Sequence, residues 1–129
     1  MSDKSKTILL VEDDEFYLSL IESWLKTPNN AVVTANDGQE ALNISTNQPV
    51  DLIITDVFMP GMDGIELIKK IRISQPNIPI IAISGKSRKV DFMKAAEKFG
   101  ATCTILKPLD QESFTRIVNE MLTLQVTEF

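Results

Sequence analysis

Residues 51–74 read DLIITDVFMPGMDGIELIKKIRIS. Asp51 to Thr55 is a short apolar run rich in β-branched residues, and Asp56 follows it directly. Asp63-Gly64 then opens a segment that places Ile65, Leu67, Ile68 and Ile71 at helical spacing and stops before Pro76. One strand, one loop and one helix are legible here, and the unit recurs along the chain. Further apolar runs lie at Thr7 to Val11, Ala31 to Ala35, Pro79 to Ile83 and Thr102 to Leu106. The first helix is expected to begin near Asp14, with Phe16, Leu20, Ile21, Trp24 and Leu25 on one face, and to end before Pro28 with Asn29 and Asn30 as a turn. Asp37 and Glu40 fit a capping box for the second, with Glu40 reaching back. Ser87 to Phe99 forms the fourth, ended by Gly100. Phe114, Ile117, Val118, Met121 and Leu122 mark the fifth behind an Asp110 cap. Continuous apolar strands are covered on both faces, which predicts a doubly wound α/β sandwich with a five-stranded parallel sheet. Trp24 and the Phe114 stripe read as core, and Cys103 as a buried residue of the last strand.

The chain has 129 residues, 43% of them hydrophobic, enough for one compact core and too few for two. A single domain over 1–129 is expected, its core at about 6–124. Met1 to Lys6 and Gln125 to Phe129 read as short polar tails, the second equally as the point where a longer protein was cut. Eighteen acidic against thirteen basic residues give a net charge of -5, without the basic footprint of nucleic-acid binding. No apolar stretch approaches a bilayer span, one cysteine allows no internal disulfide, and a cytoplasmic location is expected. There is no histidine, which excludes histidine bases, histidine metal ligands and an internal histidine phosphodonor. Chemistry must run on carboxylates, hydroxyls and lysines.

In an open parallel sheet the site lies outside the carboxyl ends of the strands. Glu12 to Glu15 follow the first run, Asp56 the third, Ser84-Gly85 the fourth and Lys107-Pro108 the fifth. The second ends in Asn36 and Asp37, already used as a helix start. Converging carboxylates repel one another and either hold a proton or recruit a cation, and hard oxygen ligands favour Mg²⁺. One carboxylate can then act as a nucleophile toward phosphorus, with a lysine and a hydroxyl on the phosphoryl oxygens.

With Glu12-Asp13-Asp14, Asp56 before Met59-Pro60-Gly61 and Asp63-Gly64, Ser84-Gly85 and Lys107-Pro108 in this order, the sequence resembles the receiver domain of two-component response regulators over about Lys6 to Leu124. The resemblance implies a flavodoxin-like fold with strand order 2-1-3-4-5. It also implies Asp56 as phosphoacceptor, Glu12 and Asp13 as the acidic pair for Mg²⁺, and a metal contact from the Phe58 backbone carbonyl. Ser84 matches the switch hydroxyl and Lys107 the phosphoryl-binding lysine, with a cis peptide to Pro108. Two departures bear on mechanism. Thr104 stands three residues before Lys107, where many receivers carry an aromatic that swings inward, so it either pairs with Ser84 or leaves the signal to the loop after Ser84 and the fourth helix. Phe58 and Lys86 flank the path of water to an acyl phosphate, Phe58 as a shield and Lys86 as an added contact.

The implied function is a signalling switch, not a turnover enzyme beyond self-catalysed phosphorylation and slow autodephosphorylation. A histidine kinase or histidine phosphotransfer protein supplies the phosphoryl group. A downstream protein or output domain reads the face of the fourth helix, fifth strand and fifth helix, including Arg88, Lys89, Asp91, Lys94, Lys98 and Thr104, with a phosphorylation-dependent dimer as an alternative state. A phosphohydrolase with an aspartate nucleophile would need an acid where Phe58 stands. A flavin module would need a phosphate loop where Glu12 to Glu15 stand, and a pseudo-receiver would lack this acidic set.

Overall fold

The computed structural model describes residues 5–85 and 89–124. Strand and helix alternate throughout: β1 (Lys6–Val11), α1 (Glu15–Leu25), β2 (Asn30–Ala35), α2 (Gly38–Asn47), β3 (Leu52–Asp56), α3 (Gly64–Ser74), β4 (Ile80–Ser84), α4 (Lys89–Phe99), β5 (Cys103–Leu106) and α5 (Gln111–Leu124). Every pairing is parallel, in the order β2-β1-β3-β4-β5. Asp56 and Ser84 are the last residues of their strands, which run one residue beyond the apolar runs.

Successive strand residues point to opposite faces and so feed two cores. Leu9, Val11, Ile53, Ile80 and Ala82 pack with Ala41, Leu67, Ile68, Ile71 and Ala96 of α2, α3 and α4. Ile8, Leu10, Leu52, Ile54, Ile81 and Ile83 pack with Ile21, Leu25, Phe114, Val118 and Leu122 of α1 and α5. Burial is deepest in the middle of the sheet. β3 and β4 are buried at every position, whereas the edge strands β2 and β5 are mostly half-buried, because each has a neighbour on one side only. Cys103 is accordingly half-buried on β5, not enclosed as expected.

Caps fall where the sequence places them. Asp14 and Asp63 accept backbone N–H groups in the first turns of α1 and α3. The Asp110 carboxylate accepts the Ser113 N–H at 2.9 Å and its hydroxyl at 2.7 Å. Asp37 accepts the Glu40 N–H, but Glu40 reaches back to the N–H of Asn36, one residue before the expected partner. Gly100 ends α4 with φ +131°, a backbone region that favours glycine. Arg72 closes that corner, donating from Nε (3.0 Å) and Nη2 (2.7 Å) to the Gly100 carbonyl, and a Cβ at residue 100 would fall 2.6 Å from Arg72 Cγ.

One helix face differs from expectation. Phe16 is 68% exposed, and the inward stripe of α1 runs through Tyr17, Leu18, Ile21, Trp24 and Leu25. At about 100° per residue, Phe16 stands about 140° around the helix from Ile21, so it cannot share that face. Trp24 is half-buried, its ring 5.9 Å from that of Phe114. The expected start of α4 at Ser87 and the tail residues Met1 to Lys4 and Gln125 to Phe129 lie outside the described residues.

Candidate functional site

β1 and β3 lie side by side, so the residues at their carboxyl ends meet. Glu12 and Asp56 each stand two positions beyond a residue of the α1/α5 core, Leu10 and Ile54, which aims both carboxylates to that side of the sheet edge. Both are buried, and Asp13 beside them is exposed. One carboxylate oxygen from each of Glu12, Asp13 and Asp56 lies within 4.8 Å of the other two.

The close approach of α3 to the end of β3 depends on a glycine. A Cβ on Gly64 would overlap the Asp56 carbonyl oxygen and lie 2.7 Å from Val57 Cα, while the Gly64 N–H donates to the Val57 carbonyl at 2.8 Å. The loop carrying Phe58, Met59 and Pro60 therefore returns tightly beside Asp56.

From the far side comes Lys107, in a cis peptide with Pro108 as expected. Its Nζ is 3.3 Å from Glu12 Oε1 and 3.6 Å from Asp56 Oδ2, and its N–H donates to the Ser84 carbonyl, tying the ends of β4 and β5 together. One lysine does not neutralise three carboxylates. Burial, with the Asp56 charge adding to it, raises the Glu12 carboxyl to about 7, against the opposing pull of Lys107. Burial likewise raises Asp56, again opposed by Lys107. Burial alone would lower the Lys107 ammonium, but Asp56 and Glu12 outweigh it and the net direction is upward. Among the described residues, Asp56 Oδ1 is buried with neither a hydrogen-bond nor an ion-pair partner, and Glu12 Oε1 accepts no hydrogen bond and faces only the Lys107 ammonium. A buried open oxygen on Asp56, beside an under-neutralised Glu12 and an exposed third carboxylate on Asp13, suits a hard divalent cation.

Ser84 is fully buried and donates its hydroxyl to the Gly85 carbonyl. It stands two residues beyond Ala82, and Thr104 pairs with Ala82 in the β4–β5 register, so both belong to the α4 side of the sheet. The Thr104 hydroxyl is nonetheless not directed to Ser84: it donates to Glu97 Oε2 of α4 at 3.2 Å. Phe58 turns its ring to Phe92 of α4, with centroids 4.5 Å apart and planes at 68°. Lys86 and Arg88 lie outside the described residues, as do the side chains of Lys89 and Asp91. Sequence reasoning missed Tyr17, whose ring centroid lies 4.1 Å from Lys107 Nζ. Its place in the first turn of the helix that follows the Glu12-Asp13-Asp14 strand end was the available signal.

No helix among the described residues is long and apolar enough to cross a membrane. The model of the response regulator receiver domain matches residues 8–119. The transcriptional regulatory protein GlrR of Escherichia coli is 33% identical over 122 residues, which are 95% of this chain and 27% of GlrR. The Regulator of RpoS from the same organism is 36% identical over 104 residues, 81% of this chain and 31% of that protein. The chain thus spans about a third or less of the length of these relatives. Among solved structures, a CheY-like receiver domain protein from Methanospirillum hungatei superposes with TM-score 0.91 at 26% identity, covering 98% of this chain and all of that one.

Proposed function

Because the chain belongs to the response regulator receiver domain family, we propose that it accepts one phosphoryl group on Asp56 and passes the change on through α4. A histidine kinase or histidine phosphotransfer protein is the donor, consistent with a chain that has no histidine of its own. The observation that carries this reading is the placement of Asp56: buried at a strand end, one oxygen unpartnered, the other facing Lys107, with two further carboxylates beside it. Asp56 attacks phosphorus through a carboxylate oxygen, the bond from phosphorus to the donor's leaving atom breaks, and the leaving group keeps the electron pair.

Glu12, Asp13, Asp56 and the Phe58 backbone carbonyl would hold Mg²⁺, which supplies positive charge against the phosphoryl oxygens. Lys107 is already at ion-pair distance from Asp56 and meets those oxygens as they arrive, and Ser84 can turn its hydroxyl from the Gly85 carbonyl to them. The phosphoryl group replaces one carboxylate charge with about two and shifts a pre-existing equilibrium of the surrounding loops. Among the described residues, Phe58 to Phe92 and Thr104 to Glu97 connect those loops and β5 to α4. A downstream protein or an output domain then reads α4, β5 and α5, where Lys94 and Lys98 are exposed, with a phosphorylation-dependent dimer as the other form of readout. The setting is cytoplasmic, and no turnover is assigned beyond self-catalysed phosphorylation and slow autodephosphorylation.

The test is intact mass after incubation with acetyl phosphate and Mg²⁺, beside Asp56→Asn. The wild type should gain one phosphoryl group and the variant none. No adduct, or one that survives the substitution, removes the assignment.

A further inference from the structure

Lys107 is held by more than its carboxylates. The Tyr17 ring centroid lies 4.1 Å from the ammonium, whose side chain is only 15% exposed, a contact in the range where the face of an aromatic ring attracts a partly desolvated cation. The first turn of α1 fixes that ring, since Asp14 Oδ1 accepts the N–H groups of Phe16 (2.9 Å) and Tyr17 (3.3 Å) and the Phe16 ring meets it edge-on at 5.5 Å. Tyr17, Gly85, Lys107 and Pro108 line one recess, so the ring forms a wall of the space that opens onto the lysine.

We propose that Tyr17 is a positioning residue for Lys107, holding the ammonium at the strand ends by its ring face so that it is in place for a phosphoryl group on Asp56. The proposal rests on the phosphoacceptor reading above. Glu12 and Asp56, the two anions that hold Lys107, also belong to the acidic triad, and any cation or phosphoryl group entering there competes for their oxygens. The Tyr17 ring carries no formal charge and stays outside that competition. A lysine stem is long and flexible, so a third fixed neighbour narrows where the ammonium can go when its carboxylates are engaged elsewhere. Ordinary packing is the competing account, because Tyr17 also touches the α1/α5 core. Packing needs only an apolar body, whereas holding a cation needs a ring.

The two accounts separate in a set of variants read by the rate of adduct formation from acetyl phosphate with Mg²⁺. Tyr17→Phe keeps the ring and should stay within about twofold of wild type, while Tyr17→Leu should lower the maximal rate by about two- to thirtyfold. In a Lys107→Met background, Tyr17→Leu should add nothing, because a residue acting through Lys107 has no effect without it. In the metal-free protein the Lys107 ε-methylene protons should be shifted upfield by the ring in wild type and Tyr17→Phe, and return to ordinary lysine positions in Tyr17→Leu. Equal slowing by Phe and Leu, equal slowing with and without Lys107, or no upfield shift in wild type overturns the proposal. An adduct that survives Asp56→Asn overturns the phosphoacceptor reading instead, and the proton shift then tells that failure from a failure of the Tyr17 contact.

Discussion

On the α1 side of the sheet edge, Glu12 and Asp56 are buried and Lys107 nearly so, joined by two ion pairs and backed by the Tyr17 ring. On the α4 side, among the described residues, the contacts are an edge-to-face ring pair, Phe58 with Phe92, and an exposed hydrogen bond from Thr104 to Glu97. The first side concentrates charge where it is costly and holds it in place, as phosphoryl transfer requires. The second is tied by contacts worth about 1 kcal/mol each, weak enough for a local charge change to break or re-form. The acidic cluster and the contacts to α4 thus sit on opposite faces of the same strand ends, with Ser84 on the α4 side.

The comparison breaks most visibly at Gly64, which lets α3 close against Asp56. Gly64→Ala should cost about 3 kcal/mol by forcing the Asp56–Val57 backbone aside, measured by urea unfolding, and a loss under about 0.5 kcal/mol would show that this junction gives way easily.

The charged side should also reveal itself through pH. Glu12 has its folded pKa raised from 4.5 to about 7, so the stability tied to its protonated form is complete below about pH 4.5 and is lost as pH climbs through about 7. The metal-free Tm should therefore fall by several degrees between pH 5 and pH 8. Glu12→Gln should flatten that fall, and Mg²⁺, which needs the ionised carboxylates, should raise Tm most at the upper end. A flat profile for the wild type would mean that water or a neighbouring group relieves the buried carboxylates.

Effects on the α4 side should be smaller and local. Phe92→Leu keeps most of the apolar volume and removes the ring pair, so it should cost about 1 kcal/mol and speed amide exchange in α4 while leaving α1 unchanged. Acceleration spread evenly over both helices would erase the distinction drawn between the two sides. Smallest is Thr104→Ala, which removes one exposed hydrogen bond and should change stability by about 0.5 kcal/mol or less and partner affinity only modestly. A complete loss of signalling in that variant would put the switch at Thr104, aromatic or not.

Much of this was legible before the fold was known. Alternation of β-branched runs with helical segments determines a parallel sheet sandwiched between helices, because only strands covered on both faces can be apolar throughout. It also places Glu12, Asp13, Asp56, Ser84 and Lys107 at strand ends, since these are the first polar residues after the apolar runs. The caps Asp14, Asp37, Asp63 and Asp110 were legible for a similarly local reason: each satisfies donors within three residues. The helical period alone already turns Phe16 outward, whereas the half-exposure of Cys103, the bond from Thr104 to Glu97 and the rings of Phe58 and Tyr17 depend on which elements become neighbours. Strand order and helix rotation decide those distances, and neither is written in the spacing along the chain. The sequence by itself determined which groups could meet a phosphoryl group and a cation; only the tertiary structure decided how deeply they are buried, and with that how far Glu12 and Asp56 are driven from ordinary carboxylates.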